Sequence, residues 1–232
     1  MDLLDLHSWD VSPKEAVAIQ RRLASQVVRG GVPSDVRRIA GVDISVDRAA
    51  GRGTGAVVVF SYPKLEVVEV SVEQAPLTFP YVPGLLSFRE IPVLREAFAR
   101  LAGPIDLLLV DGQGLAHPRR FGLACHLGLL LNVPAIGCGK SRLVGEHDTP
   151  GEAAGSRADL RDDGELIGSV LRTRDGVKPL FISIGHRIGL AEAEAWVLRC
   201  CRGYRLPEPT RLADKAAGGR APTVAGASAG ER

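Results

Sequence analysis

Three acidic residues occupy positions where a carboxylate is unusual unless it has a chemical task. Asp43 lies inside an alternating apolar segment, Glu90 directly precedes Ile91, and Asp111 ends the apolar run over residues 105–110. Carboxylates that a fold brings together repel one another, so they are tolerated chiefly where a hard cation such as Mg²⁺ neutralises them. We therefore expect these acids to form a divalent-metal site.

Each acid also has a structural explanation. Asp111 stands before a glycine and fits an ordinary turn at a strand end, and this alternative stays open on sequence alone. Asp43 is harder to explain in this way, because Asp is depleted in strand interiors. For Glu90 the alternative is a capping box with Ser87, but that register puts Pro92 inside the helix at a cost of roughly 3 kcal/mol. We therefore expect a helix that starts at Pro92 and leaves Glu90 just ahead of it.

The segment that follows Asp111 is basic. Asp111 is the only acid between residues 111 and 145. Carboxylates that hold a metal and bases that hold phosphates are the two parts of a metal-assisted phosphodiester site. We therefore predict that this segment contacts nucleic acid. Its bases are Arg119, Arg120, Lys140 and Arg142.

Other reactive side chains are less informative. His117 precedes a proline in a glycine-rich loop and is a candidate for substrate contact, whereas His126 lies in an apolar segment and is expected in the core. The four cysteines show no CxxC spacing and are expected to be reduced, buried thiols. No combination of residues forms a persuasive nucleophile triad, which favours attack by water.

The first half of the chain predicts one helix, three strands and a stiff loop. Ser12 to Glu15 form a capping box for a helix over residues 13–28. Segments with period-two alternation then predict an antiparallel meander, and a stretch with three prolines within eight residues predicts a largely extended loop. The strands are expected over residues 37–46, 55–60 and 65–72, and the loop over residues 76–84.

The second half predicts strands that alternate with helices. From Pro207 the periodicity lapses, and residues 215–232 are expected to be a disordered tail. The chain is therefore expected to be one α/β domain over residues 1–214. Helices are expected over residues 91–101, 121–131 and 190–201, and strands over residues 105–112, 133–139, 165–173 and 180–184.

Composition excludes two broad classes of protein. The 232 residues contain no apolar run near eighteen residues, which excludes a membrane-spanning protein, and the N-terminus lacks the pattern of a secretory signal. A formal net charge of +2 excludes a strongly basic nucleic-acid coat, so nucleic-acid contacts must come from local patches. We expect a cytoplasmic protein that is a monomer.

Three longer segments resemble the endonuclease V family, the deoxyinosine 3′ endonucleases. The similarity runs from about Trp9 to Asp214, and the segments are Phe79–Glu90 (FPYVPGLLSFRE), Asp111–Arg120 (DGQGLAHPRR) and Tyr204–Arg211 (YRLPEPTR). The resemblance implies a ribonuclease-H-like fold whose central mixed sheet has an antiparallel meander of three strands followed by parallel strands, flanked by helices. It also implies a Mg²⁺-dependent hydrolase, with Mn²⁺ as a substitute. Such an enzyme cuts DNA that contains deoxyinosine or other deaminated bases, at the second phosphodiester bond 3′ of the lesion, and leaves a 3′-hydroxyl and a 5′-phosphate.

The resemblance also implies roles for individual residues. Asp43, Glu90 and Asp111 match the catalytic carboxylates, Asp214 matches a fourth acidic position, and Lys140 matches a lysine near the scissile phosphate. All four acids are expected to hold the metal. The strand-separating wedge is expected at Pro80, Tyr81, Val82 and Pro83, and the pocket for the extruded base at Gly84, Leu86, Gly112, Gly114 and Leu143.

Alternatives to DNA cleavage stay open on the sequence. An inosine-specific endoribonuclease would carry the same motifs, because none of them reads the 2′-hydroxyl decisively. A non-cleaving binder of distorted DNA would use the stiff loop and the bases alone, but such a binder gains nothing from clustered carboxylates. Whether one or two metal ions bind is also open.

Overall fold

A computed structural model describes Met1 and residues 3–225. Helices cover both faces of a single sheet in this part of the chain. No helix among these residues combines the length and apolar character needed to cross a bilayer. In chain order the elements are α1 (Pro13–Ala24), β1 (Arg38–Asp47), β2 (Arg52–Ser61), β3 (Val67–Pro76), α2 (Leu86–Ala99), β4 (Leu107–Val110), α3 (Leu123–Leu131), β5 (Ala135–Gly139), β6 (Arg157–Asp162), β7 (Glu165–Leu171), β8 (Leu180–His186), α4 (Leu190–Arg199) and α5 (Glu208–Ala217).

The sheet has eight strands in the order β3-β2-β1-β4-β5-β8-β7-β6. The first three strands form an antiparallel meander, and β4 and β5 continue from β1 in parallel, which confirms the predicted mixed sheet. The later strands do not alternate with helices as expected, because β8, β7 and β6 add a second antiparallel section. The edge strand β6 was missed, since Leu160 is its single buried residue and the others are mostly charged.

The alternation of side chains in β1 gives the sheet two cores. Ala40 and Val42 pack in one core with α2 and α3, whereas Ile39 packs in another with α4. Asp43 is paired with Ala56 of β2, which packs against α5. The two faces of β1 therefore contact different helices, and α5 covers the neighbourhood of Asp43.

Gly41 allows α5 to approach β1. A Cβ atom at this position would overlap the backbone of Pro209, the second residue of α5. Only glycine permits this close approach of helix and strand. The contact brings α5, and with it Asp214, against the strand that carries Asp43.

The helix α5 was not predicted, and its sequence explains why. Its buried residues are mostly small, so it lacks the large apolar stripe by which a surface helix is usually found. The helix continues to Ala217, so the expectation of a disordered tail from residue 215 was wrong for residues 215–217. Residues 226–232 of that expected tail lie outside the described part of the chain. The buried residues of α5 are Glu208, Pro209, Thr210, Ala213, Ala216 and Ala217.

The helix α2 starts earlier than predicted. It begins at Leu86 and contains both Glu90 and Pro92, so the expected start at Pro92 was wrong. A proline inside a helix costs roughly 3 kcal/mol. Phe88 and Ile91 are fully buried, and each contributes about 1.5–3 kcal/mol, which offsets that cost. Glu90 is therefore held by the helix itself.

The helix α1 begins as predicted and ends sooner. Ser12 Oγ accepts a hydrogen bond from the Glu15 N–H at 3.3 Å, and a Glu15 carboxylate oxygen accepts one from the Ser12 N–H at 2.8 Å. After Ala24 the chain continues in tighter turns, in which the N–H groups of Gln26 and Val27 donate to carbonyls three residues back. The predicted end at residue 28 was therefore four residues too late.

Replacing Gly41 with alanine should destabilise the protein, because the added methyl group must displace α5. We expect a loss of about 1–3 kcal/mol in the free energy of unfolding, which is the usual cost of overpacking. Thermal unfolding followed by circular dichroism measures the change. Gly30→Ala is the matched control, since a Cβ there meets nothing within 4 Å. Equal melting temperatures for the two variants would contradict the packing role of Gly41.

Candidate active site

Three carboxylates from separate elements converge at the C-terminal end of β4, beside the middle of β1. Asp43 belongs to β1, Asp111 directly follows β4, and Asp214 belongs to α5. One oxygen of each side chain lies within 4.8 Å of the others. The parallel register pairs Val42 with Val110, so the residues that follow, Asp43 and Asp111, are brought side by side. We call these three residues the acid cluster.

Glu90 lies close to the acid cluster without belonging to it. Glu90 approaches from α2. In the described part of the chain, its carboxylate oxygens are not among those that lie within 4.8 Å of one another. Burial, reinforced by the charges of Asp43 and Asp111, raises the pKa of Glu90 to about 8. The structure therefore brings three of the four predicted acids together and places the fourth within their electrostatic reach.

Burial and mutual repulsion disfavour ionisation within the acid cluster. Burial, followed by the charge of Asp111, raises the pKa of Asp43 to about 7. Burial also raises the pKa of Asp111, although the nearby Lys140 ammonium acts in the opposite direction. A bound cation would relieve this repulsion, because it favours the ionised form of every carboxylate around it.

Lys140 places its ammonium group between two members of the acid cluster. Its Nζ lies 2.5 Å from Asp111 Oδ2 and 3.3 Å from Asp214 Oδ1. Burial opposes the charged form, but contact with Asp111 raises the pKa of Lys140 above its ordinary value. The backbone carbonyl of Lys140 accepts a hydrogen bond from Arg205 Nη2 at 2.7 Å, so Arg205 helps to position this lysine.

A cavity of about 160 Å³ opens next to Asp111. The loop before α2 forms one wall, and the segment after β4 forms the opposite wall. Most of its lining is apolar or backbone, and the polar side chains are few. The lining residues are Gln20, Tyr81, Val82, Pro83, Gly84, Leu86, Ser87, Gly112, Gln113, His117, Gly122, Leu123 and Leu143.

Four of the five residues predicted for the base pocket line this cavity, namely Gly84, Leu86, Gly112 and Leu143. Gly114 does not line it. The N–H of Gly114 donates to Ser183 Oγ at 2.8 Å, and a Cβ at Gly114 would overlap the carbonyl of Ile184. Gly114 therefore lets two backbone segments pack closely behind the cavity wall.

The carbonyl of Gly84 is held by three side chains. It accepts hydrogen bonds from Gln20 Nε2 at 3.0 Å, from His117 Nε2 at 3.0 Å and from Arg119 Nη2 at 2.6 Å. Burial, together with the charge of Arg119, lowers the pKa of His117 to about 4, so His117 is neutral at pH 7. His117 and Arg119 were predicted to contact nucleic acid, and the structure places both against the Gly84 carbonyl as supports of the loop, with His117 also lining the cavity. Gln20, on α1, was not predicted.

The two remaining predicted nucleic-acid contacts lie in different environments. Arg120 turns toward the β6–β7 hairpin, where it pairs with Asp162 at 2.8 Å and with Glu165 at 2.6 Å. Its charge is therefore already compensated within the fold. Arg142 is exposed and lies in the chain between Lys140, which contacts Asp111, and Leu143, which lines the cavity.

The loop predicted to be a wedge is anchored and carries an exposed aromatic tip. The side chain of Tyr81 is 69% exposed and stands between Pro80 and Pro83. Phe79 is buried next to it, and its carbonyl accepts a hydrogen bond from Arg89 Nη1 at 2.5 Å. The prolines and the anchor restrict the loop, so Tyr81 projects from a stiff support.

Comparison with known proteins identifies the relatives of this chain. A family model described as Endonuclease V matches residues 21–215. The chain belongs to the endonuclease V family. The resemblance of the three sequence motifs is thereby confirmed, and the chain is an endonuclease.

Individual members of the endonuclease V family are similar over most of their length. Endonuclease V of Dehalococcoides mccartyi is 56% identical over 212 residues, which cover 91% of this chain and 95% of that protein. The crystal structure of endonuclease V from Streptomyces avermitilis has a TM-score of 0.87 at 41% identity and covers 91% of this chain and 94% of its own. The structure of Ciona intestinalis endonuclease V was solved with a 24mer DNA containing an inosine followed by a ribo-adenosine. It has a TM-score of 0.74 at 27% identity, and the match covers 89% of this chain and 96% of that chain.

The acid cluster of this endonuclease V family member fits a hard divalent cation. All of its potential ligand atoms are carboxylate oxygens, and hard cations prefer oxygen ligands. Asp111 Oδ2 is buried and accepts no well-aligned hydrogen bond from the residues that the structure describes, although the Lys140 ammonium lies near it. An oxygen in this position has a lone pair available for a metal ion.

Removing one charge from the acid cluster should stabilise the metal-free protein above pH 7. The pKa of Asp43 is higher in the fold than the ordinary value of 3.8, so its ionisation weakens the fold progressively as the pH rises from about 4 to about 7. We expect Asp43→Asn to gain roughly 2 kcal/mol or more at pH 8 and little at pH 4, since one pKa unit corresponds to about 1.4 kcal/mol.

Thermal unfolding in a chelator at pH 4 and pH 8 measures this difference. Asp163→Asn is the matched control, because Asp163 is exposed in a turn whose positive φ asparagine also adopts. The assignment of Asp43 to a repulsive cluster is refuted if Asp43→Asn gains no more stability at pH 8 than at pH 4.

Proposed function

We propose that this chain is a Mg²⁺-dependent DNA repair endonuclease that acts on deoxyinosine. It hydrolyses the second phosphodiester bond 3′ of the lesion and leaves a 3′-hydroxyl and a 5′-phosphate. The observation that carries the proposal is the acid cluster with Lys140 beside a small cavity. The relative from Ciona intestinalis, which was solved with inosine-containing DNA, supports the substrate class.

The lining of the cavity suits a purine base that lacks an amino group at C6. The cavity lies at the N-terminus of α2, where Leu86 and Ser87 are the first two helical residues. The backbone N–H groups of a first helical turn have no partner within the helix and can donate to a ligand acceptor. Hypoxanthine presents O6 as such an acceptor, whereas adenine presents an amino group. Because an unpaired polar group is costly in a closed site, this difference supports strong discrimination.

Hydrolysis of the backbone is assigned to the acid cluster and Lys140. Asp43, Asp111 and Asp214 would hold the metal ion, with Glu90 beside them, and the ion would supply an activated water and charge neutralisation at the phosphate. The Lys140 side chain is 41% exposed, so its ammonium can meet a phosphate oxygen and offset the charge that develops during cleavage. No covalent intermediate is required, because water is the attacking group.

The exposed tip of the stiff loop is assigned to strand separation. Tyr81 lines the mouth of the cavity and is largely exposed, so its ring is available to stack on a base. A base that enters the cavity must leave the stack, and an aromatic side chain that occupies the gap reduces the cost of that step. The loop and the cavity therefore act on the same nucleotide.

Cleavage of inosine-containing RNA is a second candidate function. The DNA in the Ciona intestinalis complex carries a ribo-adenosine directly after the inosine. A ribonucleotide next to the inosine is therefore compatible with binding in that relative. DNA is the proposed substrate of this chain, and matched DNA and RNA oligonucleotides distinguish the two activities.

Matched DNA and RNA oligonucleotides that carry one inosine test the proposed function. In the presence of Mg²⁺ we expect a single cut at the second bond 3′ of the inosine in DNA, and no cut in a chelator. Asp43→Ala should abolish cleavage and leave inosine-DNA binding within about threefold, because the substitution removes a metal ligand and not a base contact. Mapping the product ends by gel and mass spectrometry measures the position and chemistry of the cut.

The control for the Asp43 variant is Asp163→Asn, which should cut at the rate of the unaltered protein. If the unaltered protein cleaves neither the DNA nor the RNA oligonucleotide with Mg²⁺ or Mn²⁺, the proposed function is wrong. Cleavage of RNA alone would replace it with the second candidate.

Replacing Tyr81 with alanine should weaken binding to inosine-containing DNA by about five- to tenfold, because base–aromatic stacking contributes about 1–3 kcal/mol per base. Fluorescence anisotropy with Asp43→Ala as the background measures binding without cleavage. Val32→Ala is the control, since Val32 is 72% exposed and does not line the cavity. An unchanged affinity in the Tyr81 variant would show that this side chain does not act as a wedge.

A further inference from the structure

Three polar side chains form a line of hydrogen bonds behind the cavity. Ser87 Oγ lies 3.1 Å from His126 Nδ1, and His126 Nε2 lies 2.7 Å from His7 Nε2. At the far end, His7 Nδ1 lies 2.7 Å from the carbonyl oxygen of Ser8. We call this line the Ser87–His126–His7 chain. It connects a residue that lines the cavity to the N-terminal segment.

The direction of each hydrogen bond in the chain follows from its outer end. The Ser8 carbonyl can only accept, so His7 Nδ1 carries a proton and donates it. In a neutral His7 the other nitrogen, Nε2, must then accept, which requires His126 Nε2 to donate. A neutral His126 therefore accepts at Nδ1, and the one donor available to it is the hydroxyl group of Ser87. The Ser8 carbonyl thus determines the proton positions along the Ser87–His126–His7 chain.

The environment of the two histidines keeps both rings neutral and in place. Burial lowers the pKa of His126 well below its ordinary value, and burial, reinforced by the charge of Arg22, also lowers the pKa of His7. Trp9 stacks on His126 with ring centroids 5.5 Å apart and contacts His7 edge-on at 4.5 Å. The aromatic contacts therefore restrict the rotation of both imidazoles.

The N-terminal segment that supplies His7 is docked across α2 and α3. The Met1 ammonium donates to the Phe98 carbonyl at 3.0 Å, and the Leu4 N–H donates to the Leu130 carbonyl at 2.7 Å. His7 lies before residue 21, where the match to the family model begins. The Ser87–His126–His7 chain therefore connects the cavity to a segment that lies outside the region matched by the family model.

We propose that His7 and His126 turn the Ser87 hydroxyl proton away from the cavity, so that Ser87 offers the bound base only an acceptor. This inference rests on the proposed function for the identity of the base. The N1–H group of hypoxanthine can donate a hydrogen bond to the Ser87 oxygen. Adenine instead has a lone pair at N1, which the lone pair of the Ser87 oxygen would repel. Ser87 is then a specificity-determining residue, and His7 and His126 are positioning residues that act through it.

The proton positions can be measured directly. Long-range ¹H–¹⁵N correlation spectra of the intact protein distinguish protonated from unprotonated ring nitrogens. We expect His126 to be protonated at Nε2 alone and His7 at Nδ1 alone at pH 7.5. Protonation of His126 at Nδ1 would overturn the inference, because the Ser87 hydroxyl would then be free to donate into the cavity. This result does not depend on any nuclease activity.

The effect on selectivity is tested by the affinity ratio for matched DNA carrying deoxyinosine or deoxyadenosine, with Asp43→Ala as the background. His7→Phe keeps a ring against Trp9 and removes the acceptor, so His126 can take its other tautomer. We expect the ratio to fall about tenfold, and Ser87→Ala to show a similar fall, because one mispaired polar contact changes affinity by about that factor. His7→Gln restores an acceptor and should recover most of the ratio.

Val17→Ala is the matched control, since Val17 packs against the buried cluster that contains Phe88, and the substitution removes neither a hydrogen bond of the Ser87–His126–His7 chain nor a ring that contacts it. It should keep the ratio of the unaltered protein. An equal fall in Val17→Ala, or no fall in His7→Phe, would show that His7 and His126 have only a structural role. Failure of the proposed function would instead appear as absence of cleavage in the unaltered protein, while the nitrogen spectra would still decide the proton positions.

Discussion

Mutual repulsion among buried carboxylates is the constraint on which the rest of the site depends. The parallel register of β1 and β4 brings Asp43 beside Asp111, and burial raises the pKa of both. Such an arrangement is unfavourable for folding unless positive charge approaches it. Lys140 supplies part of that charge from the end of β5, and an oxygen-seeking cation would supply the rest. The scaffold therefore tolerates local instability at a cluster of oxygen ligands that suits a divalent cation.

The close approach of α5 to the sheet completes the acid cluster. Its contact depends on the missing side chain of Gly41 and on the small residues Ala213 and Ala216, which allow the helix to lie near the strands. Asp214 reaches the other acids from this helix. The last helix of the described chain thus contributes to the same centre as β1, and a substitution that changes only the packing of this helix would move Asp214 relative to the other acids.

Much of the fold followed from the sequence, and the exceptions have physical causes. Alternation predicted β1 to β3, and the apolar run before Asp111 predicted β4, because burial dictates both patterns. The sequence pattern does not reveal α5, because its buried face is made mostly of small residues. The predicted start of α2 was too late, because the burial of Phe88 offsets the penalty of Pro92 inside the helix. For the site, the family resemblance predicted the converging acids, and four of its five base-pocket residues line the cavity. The motifs could not predict Gln20 or Arg205, because these side chains act through backbone carbonyls of distant segments, and no local pattern records such contacts.

The three hydrogen bonds to the Gly84 carbonyl have a consequence for the kinetics of recognition. Gln20, His117 and Arg119 converge on this one atom from two separate parts of the chain, so the wall of the cavity is already ordered before a ligand arrives. Ordering a loop during association lowers affinity and slows the productive encounter. Under the proposed function, a wall ordered in advance would leave the excursion of the base from its helix as the slow event, and the enzyme would capture bases that have already moved. Lesions that pair weakly would then be found faster than lesions that pair well, even where the final contacts are the same.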